Sequence, residues 1–525
     1  GEITATVSFR LPDRLTELTP QLPDGVTVTE TNGFTQSDGD DYAWDGRTEK
    51  PSITFRVGAD QLTDDEGPLA EDGQYLFTAT DEWALVRIPS IGVGWTQTGS
   101  DELVIDRETA VDGPGVAGDR MAYLGEYSVV RRTAHGQTFH LVIPEAADLA
   151  EPPEAILDSL SHASDALRVG DRDREVLVIA APTDGVDWGV RGLQTGEAEL
   201  WVQDSERLDT PTNVWVHEYV HTRQAFANRT TPETRWLTEA SATYYAALLT
   251  LEDDRIAFDE FRRALELGAA DPQSASTLSQ PDSWQADANY GKGSLVVGDL
   301  DRRIRLSTDG EASFGTVFGS LNRNREELTA EKFEAAVVAA STESVGAAAT
   351  DYTRTDDTPA VWSSTDHAEA FDQSPARFEF RLADESVTVD GPDRTEPLNR
   401  TAPRIVAGET LAVEVGVENV GGTVGDYELP FGVGNETSTE RGRLAPGETA
   451  SHRFTHTFDE PGRYTVVAGD DRIDLRVESA DPAAPAPSDS ESSDGPVSVD
   501  TPGFGVIPAV SVLLLLSLAA RRLGD

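Results

Sequence analysis

Three regimes of hydrophobic patterning follow one another along the chain. Residues 1–145 alternate apolar and polar positions in short runs such as "TATVSFRLP", "SITFRVG", "QYLFTAT" and "TFHLVIP". Gly, Asp and Pro clusters break them up, the pattern of an antiparallel β-sandwich. From 146 to 355 the period lengthens. "PPEAILDSLSHASDALRVG" reads as a helix, "REVLVIAAP" as a buried strand and "AELWVQ" as a second strand. Helical stretches follow in "TRWLTEASATYYAALLTL", "FDEFRRALELG", "GKGSLVVGDLDRRIR" and "TAEKFEAAVVAAS", so this segment is expected to be an α+β domain. Period-two alternation returns over 376–478, in "ARFEFRLA", "LAVEVGVENVGG" and "GRYTVVAG", which predicts a second β-sandwich. Residues 479–501 are rich in Pro, Ser, Asp and Ala and predict a disordered linker. Residues 502–525 hold an apolar run from Phe504 to Ala520, 17 residues long. That is the short limit of a transmembrane helix.

Charge changes the picture. There are 94 acidic against 42 basic residues, a net charge of −52, and the only lysines are Lys50, Lys292 and Lys332. Acidity spread over whole domains keeps a chain hydrated but repels itself unless salt screens it. This points to a salt-loving organism, a haloarchaeon. No basic footprint exists for nucleic acid. The absence of cysteine excludes disulfides, thiolate metal sites and a cysteine nucleophile. The chain starts at Gly1 in strand-like sequence, from which removal of a leader is expected.

Arg521 and Arg522 follow the apolar run, as expected of a cytoplasmic flank, which puts everything upstream outside the cell. The arrangement Pro502-Gly503-Phe504, apolar run, Arg-rich tail resembles the archaeal PGF-type sorting signal. That resemblance implies cleavage by an archaeosortase and a lipid anchor in its place. The 376–478 segment resembles the Ig-like, CARDB-like adhesion modules of archaeal surface proteins. Asn228, Asn399 and Asn435 begin Asn-X-Ser/Thr sequons that an extracellular chain could glycosylate.

The candidate chemistry lies in "NVWVHEYVHTRQAF", where His217 and His221 flank Glu218. Positions i and i+4 share a helix face, so both imidazoles can reach one metal ion. Glu218, one step round, can take a proton from an attacking water. Catalytic zinc uses three protein ligands, and without Cys the third must be His, Asp or Glu. Glu239 on the next helix is the nearest completion, because the other histidines are distant in sequence. A hydroxyl donor for an oxyanion could come from Tyr290, Tyr244 or Tyr245, which the chemistry alone leaves equal.

The three segments in this order resemble the glutamate-type zinc peptidases (gluzincins), most of all the glycyl aminopeptidase family. His-Glu-Tyr-Val-His matches its zinc helix, Trp236, Glu239, Tyr244, Tyr245, Leu248 and Leu249 its third-ligand helix, and Tyr290, Lys292, Gly293, Leu295, Val296, Asp301, Ile304 and Arg305 its tyrosine helix. The resemblance implies a thermolysin-like catalytic domain over 146–355 and Zn2+ on His217, His221 and Glu239. It also implies Glu218 as general base and acid, Tyr290 on the oxyanion, and a peptide or protein substrate. Four features depart from the family. His221 and Glu239 are 239 − 221 = 18 positions apart, one fewer than usual. Ala240 stands where the family commonly has Gly, and the PDZ module that often follows in the family is not recognisable, the Ig-like segment taking its place. Gln194 stands where a glutamate usually binds the substrate's amino terminus, with Glu197 and Glu199 nearby but shifted. The rival reading is a non-catalytic surface protein that retains the peptidase fold.

The charge density makes one outcome testable at once. Molar KCl shortens the screening length to about 3 Å, so folding and activity are expected to need molar salt. Circular dichroism and activity across a salt series check this, and full function at low salt would remove the haloarchaeal inference.

Overall fold

The computed structural model describes residues 1–37, 41–63, 69–70, 73–99, 103–392, 394–398, 403–434, 436–469 and 471–479. Asn399, Asn435, nearly all of the 479–501 linker and the whole 502–525 segment lie outside them. Among the described residues no helix is long and apolar enough to cross a membrane.

The site rests on a mixed five-stranded sheet made of β1 (Tyr127–Ala134), β2 (Gln137–Pro144), β3 (Glu175–Ala181), β4 (Gly192–Gly196) and β5 (Glu199–Gln203). Its spatial order is β1-β2-β3-β5-β4. The β2/β3 and β3/β5 pairs are parallel, and the outer pairs are antiparallel. A parallel pair needs a crossover, and helix α1 (Pro153–Ala166) supplies it between β2 and β3. The sheet therefore takes in strands from both sides of position 145.

Both faces of this sheet are covered, which is why "VLVIAA" reads as continuously apolar. Val176, Val178 and Ala180 of β3 point into the main core with Leu200, Val202 and the helices. Ile179, Ala181 and Trp201 point the other way, into an aromatic core with Phe77, Trp83, Tyr123 and Trp188. The strands before β1 form four small sheets among the described residues, each of them antiparallel. They are shorter and more divided than one regular sandwich, because Gly, Asp and Pro interrupt each run after a few residues.

Among the described residues, eight helices follow α1. They are α2 (Val214–His221), α3 (Trp236–Glu252), α4 (Phe258–Ala269), α5 (Gly291–Ser307), α6 (Phe314–Arg323), α7 (Ala330–Ala340), α8 (Glu343–Arg354) and α9 (Ser364–Phe371). Those read from the sequence within 146–355 all form. Beyond residue 375, a four-stranded and a five-stranded sheet enclose a core that includes Val413, Val415, Leu429, Val466 and Leu475. Gly425–Val433 keeps strict alternation of buried and open positions, as a half-buried strand should.

Helix α2 spans only eight residues, too short to be stable alone. Its start is held by Asn213, fully buried, whose Oδ1 accepts from Val216 N at 3.3 Å. The same amide donates to Leu208 O at 3.4 Å, Ser159 Oγ at 3.4 Å and Thr250 Oγ1 at 3.2 Å, which ties α2 to α1 and α3. Tyr219 anchors the far face, donating to Gln137 Oε1 at 2.6 Å. Asn213→Ala removes the cap and leaves buried partners unmet, so a loss of roughly 2 kcal/mol is expected. Denaturant unfolding in high salt measures it.

Candidate metal centre

α2 and α3 cross so that His217, His221 and Glu239 converge. The two Nε2 atoms are 3.1 Å apart, and Glu239 Oε2 is 3.4 Å from each of them. Among the described residues this is the one cluster of three His, Asp or Glu side chains close enough to share a metal ion. The spacing fits such an ion well. Donors on a tetrahedral zinc, each about 2.0–2.1 Å from it, stand about 3.3 Å from one another. Two imidazoles and a carboxylate, with no thiolate, form a donor set of the open, catalytic kind.

The electrostatics of the bare cluster favour a cation. Burial raises the Glu239 carboxyl's affinity for a proton, yet the two imidazoles outweigh that and hold it well below the usual carboxylate range. Burial alone would push His221 down, but Glu239, Glu218 and Gln224 together hold it up at about 9. His217, buried more deeply, is pushed down by desolvation. Glu239 also sits in the first turn of α3, where the helix dipole favours a negative charge.

Gln224, which sequence reasoning missed, orients the cluster. Its Nε2 donates to Thr238 O at 2.7 Å and Ser241 Oγ at 3.0 Å. Its Oε1 is then the acceptor for His221 Nδ1 at 2.8 Å. That bond puts a proton on Nδ1, so Nε2 is the ring atom left to meet a metal ion beside Glu239. An outer partner of this kind fixes the tautomer of a ligating histidine. The available signal was position alone, three residues after His221.

Glu218, one step round α2 from His217, reaches the edge of the sheet. It is buried, and burial pushes its carboxyl up to about 7. Its Oε2 accepts from the backbone N–H of Gln194, on edge strand β4, at 2.7 Å. Gly192 makes the room: a Cβ there would lie 2.6 Å from Val214 Cγ1 and 2.9 Å from Glu218 Cγ.

Of the three candidate tyrosines, the structure brings Tyr290 to the cluster. Its ring lies parallel to that of His217, centroids 6.2 Å apart. Burial and then the Glu239 carboxylate push its hydroxyl pKa well up, so it stays a protonated donor. Tyr244 is elsewhere, donating to Asp301 Oδ2 at 2.7 Å, and Tyr245 packs on Phe318. Lys292, fully buried, donates to Ser274 O at 3.1 Å and Ser276 O at 2.8 Å. It thereby pins the loop that leads into Tyr290. Ala240 and Gly293 meet where α3 crosses α5. A Cβ on Gly293 would lie 2.7 Å from that of Ala240, so one of the two positions must lack one.

The carboxylates near β4 are placed differently from Glu218. Glu199 faces away, accepting from the N–H groups of Asp119 (2.7 Å), Arg120 (2.7 Å) and Met121 (3.1 Å) and from Thr195 Oγ1 (2.9 Å). Glu197 is exposed at the β4–β5 turn, and the Gln194 amide turns back to Gly196 O. Asn228, just beyond α2, is exposed.

No family model matches the chain, and no curated protein matches it. Among solved structures it is similar to a substrate-bound variant of an M1 zinc metallopeptidase from Deinococcus radiodurans, at 13% identity and a TM-score of 0.42, over 69% of this chain and 91% of that one. It is also similar to an aminopeptidase N family protein from Idiomarina loihiensis, at 11% identity and a TM-score of 0.40, over 86% of this chain and 95% of that one. Overlaps this loose carry no weight for activity, so the functional reading rests on the site itself.

Gln224→Leu keeps the volume of the side chain but frees the His221 ring to turn. Zinc affinity, titrated against a chelating buffer, is expected to fall about 10- to 100-fold. An unchanged affinity would show that Gln224 does not orient a ligand.

Proposed function

We propose that the chain is a zinc-dependent peptidase, anchored at the outer surface of a haloarchaeal cell. The observation that carries the catalytic part is the spacing of His217, His221 and Glu239, whose three donor atoms stand at the edge lengths of a zinc tetrahedron. The net charge of −52 supports the saline setting. The terminal apolar run with its Arg pair supports the anchor, whether retained as a helix or exchanged for lipid by an archaeosortase-type enzyme.

When bound, zinc supplies Lewis acidity toward a carbonyl oxygen and lowers the pKa of water toward about 7. Glu218 takes the proton of the attacking water and passes it to the leaving amine. The N–H of Gln194 holds the Glu218 carboxylate in place for both transfers. Tyr290 donates its hydroxyl to the oxygen on which negative charge develops, an interaction worth roughly 3–4 kcal/mol in comparable sites.

The neighbourhood of β4 supports cleavage that does not depend on a free amino terminus. Gln194 is neutral and its amide is bonded to Gly196 O, and Glu199 is already engaged by four donors. Peptides with an acetylated amino terminus are therefore expected to be cut at rates comparable to free ones.

Glu218→Gln is expected to abolish turnover, and Tyr290→Phe to slow it about a hundredfold, with zinc retained in both. Steady-state kinetics beside metal analysis checks this. Substantial activity in Glu218→Gln would overturn the mechanism.

A further inference from the structure

A cavity of about 100 Å³ opens beside His217 and Tyr290 and runs between α3 and α4. Its floor is the α3 face that begins at Glu239: Thr243, Ala246 and Ala247 follow it at i+4, i+7 and i+8, on one side of the helix. Ala264 and Leu265 of α4 form the opposite wall. Leu267 stands at the lining's edge, 64% exposed. Gln273 closes the cavity against Gly291, where a Cβ would fall within 1.7 Å of its Oε1.

Resting on the zinc peptidase reading, we propose that this cavity receives one aliphatic side chain, of valine to leucine size, from the substrate residue beside the cleaved bond. Three arguments converge on that occupant. The first is position, since the cavity shares His217 and Tyr290 with the metal centre, so whatever fills it lies against the reacting bond. The second is size. A cavity of about 150 Å³ takes benzene, so the smaller space here admits a branched aliphatic group and refuses an aromatic ring. Three alanines set that limit, because any longer residue at 246, 247 or 264 would fill the space. The third is chemistry. The lining is mostly apolar, yet the Thr243 hydroxyl and the Gln273 side-chain carbonyl are buried without partners. A peptide brings N–H and C=O groups along with its side chain, whereas a hydrocarbon tail brings none.

The test uses the full chain in high salt, with peptides that differ at one position as Gly, Ala, Val, Leu, Phe or Trp. Cleavage is followed in the parent, and binding by calorimetry in Glu218→Gln, where hydrolysis does not intervene. Val or Leu is expected to exceed both Gly and Trp by about tenfold or more in kcat/KM, with the same ranking in Kd. Ala247→Leu is expected to reverse the order of Leu and Ala peptides. Leu267→Ser, at an exposed position that folding does not depend on, is expected to weaken the Leu peptide several-fold and the Gly peptide much less.

Cleavage and binding with no size ranking, or a ranking that neither variant alters, would overturn the cavity assignment and leave the peptidase reading standing. Ranked binding without any cleavage by the parent would uphold the cavity and remove the peptidase reading. Neither binding nor cleavage would remove both.

Discussion

Glu239 Oε2 stands 3.4 Å from each of two imidazole nitrogens that are themselves 3.1 Å apart, and much of the central domain exists to hold that triangle. Three polar groups do not gather in a protein interior unaided, because burial penalises each charge separately. Here the two helices that carry them are locked by other contacts. Asn213 caps α2 and reaches Thr250 on α3, while Gln224 bridges His221 to Thr238 and Ser241. The Gly293–Ala240 contact lets α5 approach α3 closely enough to bring Tyr290 alongside. A cation at the centre would turn an electrostatic burden into a source of stability.

The sheet makes a second, separate contribution. Strand β4 is at its edge, so one side of its backbone is open to partners other than a neighbouring strand. Gln194 gives its N–H there to Glu218, and Gly192 leaves the space that the glutamate occupies. The proposed base is therefore positioned by backbone, while the proposed metal ligands are positioned by helix crossing. Two independent supports meet at one helix of eight residues. This division allows Glu218 to reach the edge of the sheet although it is adjacent in sequence to His217.

How much of this was legible depended on whether the determining interaction was local. The i, i+4 spacing of His217 and His221 is a property of one helix, so it could be read directly. Glu239 could be named because it stands on the next helix and the family resemblance placed a ligand there. Tyr290 could not be separated from Tyr244 and Tyr245 by chemistry, since the distinction lies in how α5 packs on α3; the family resemblance pointed to it. Gln224 carried only its position three residues after His221, and Gly192 carried no signal, because their roles come from contacts across elements. The central sheet was legible strand by strand, but its reach across position 145 was not. Alternation of apolar residues reports that a strand is buried and not which strand it joins. The N-terminal runs were read correctly as antiparallel strands, and their division into four small sheets followed from turn chemistry too dense for longer ladders.

Metal content of the full chain, purified in molar salt and supplied with zinc, tests the central claim most directly when measured beside Glu239→Ala. The account expects about one zinc per chain in the parent and its loss in the variant, with both proteins folded. A folded parent that takes up no zinc, or a variant that binds it as tightly as the parent, would contradict the assignment of His217, His221 and Glu239 as one metal centre.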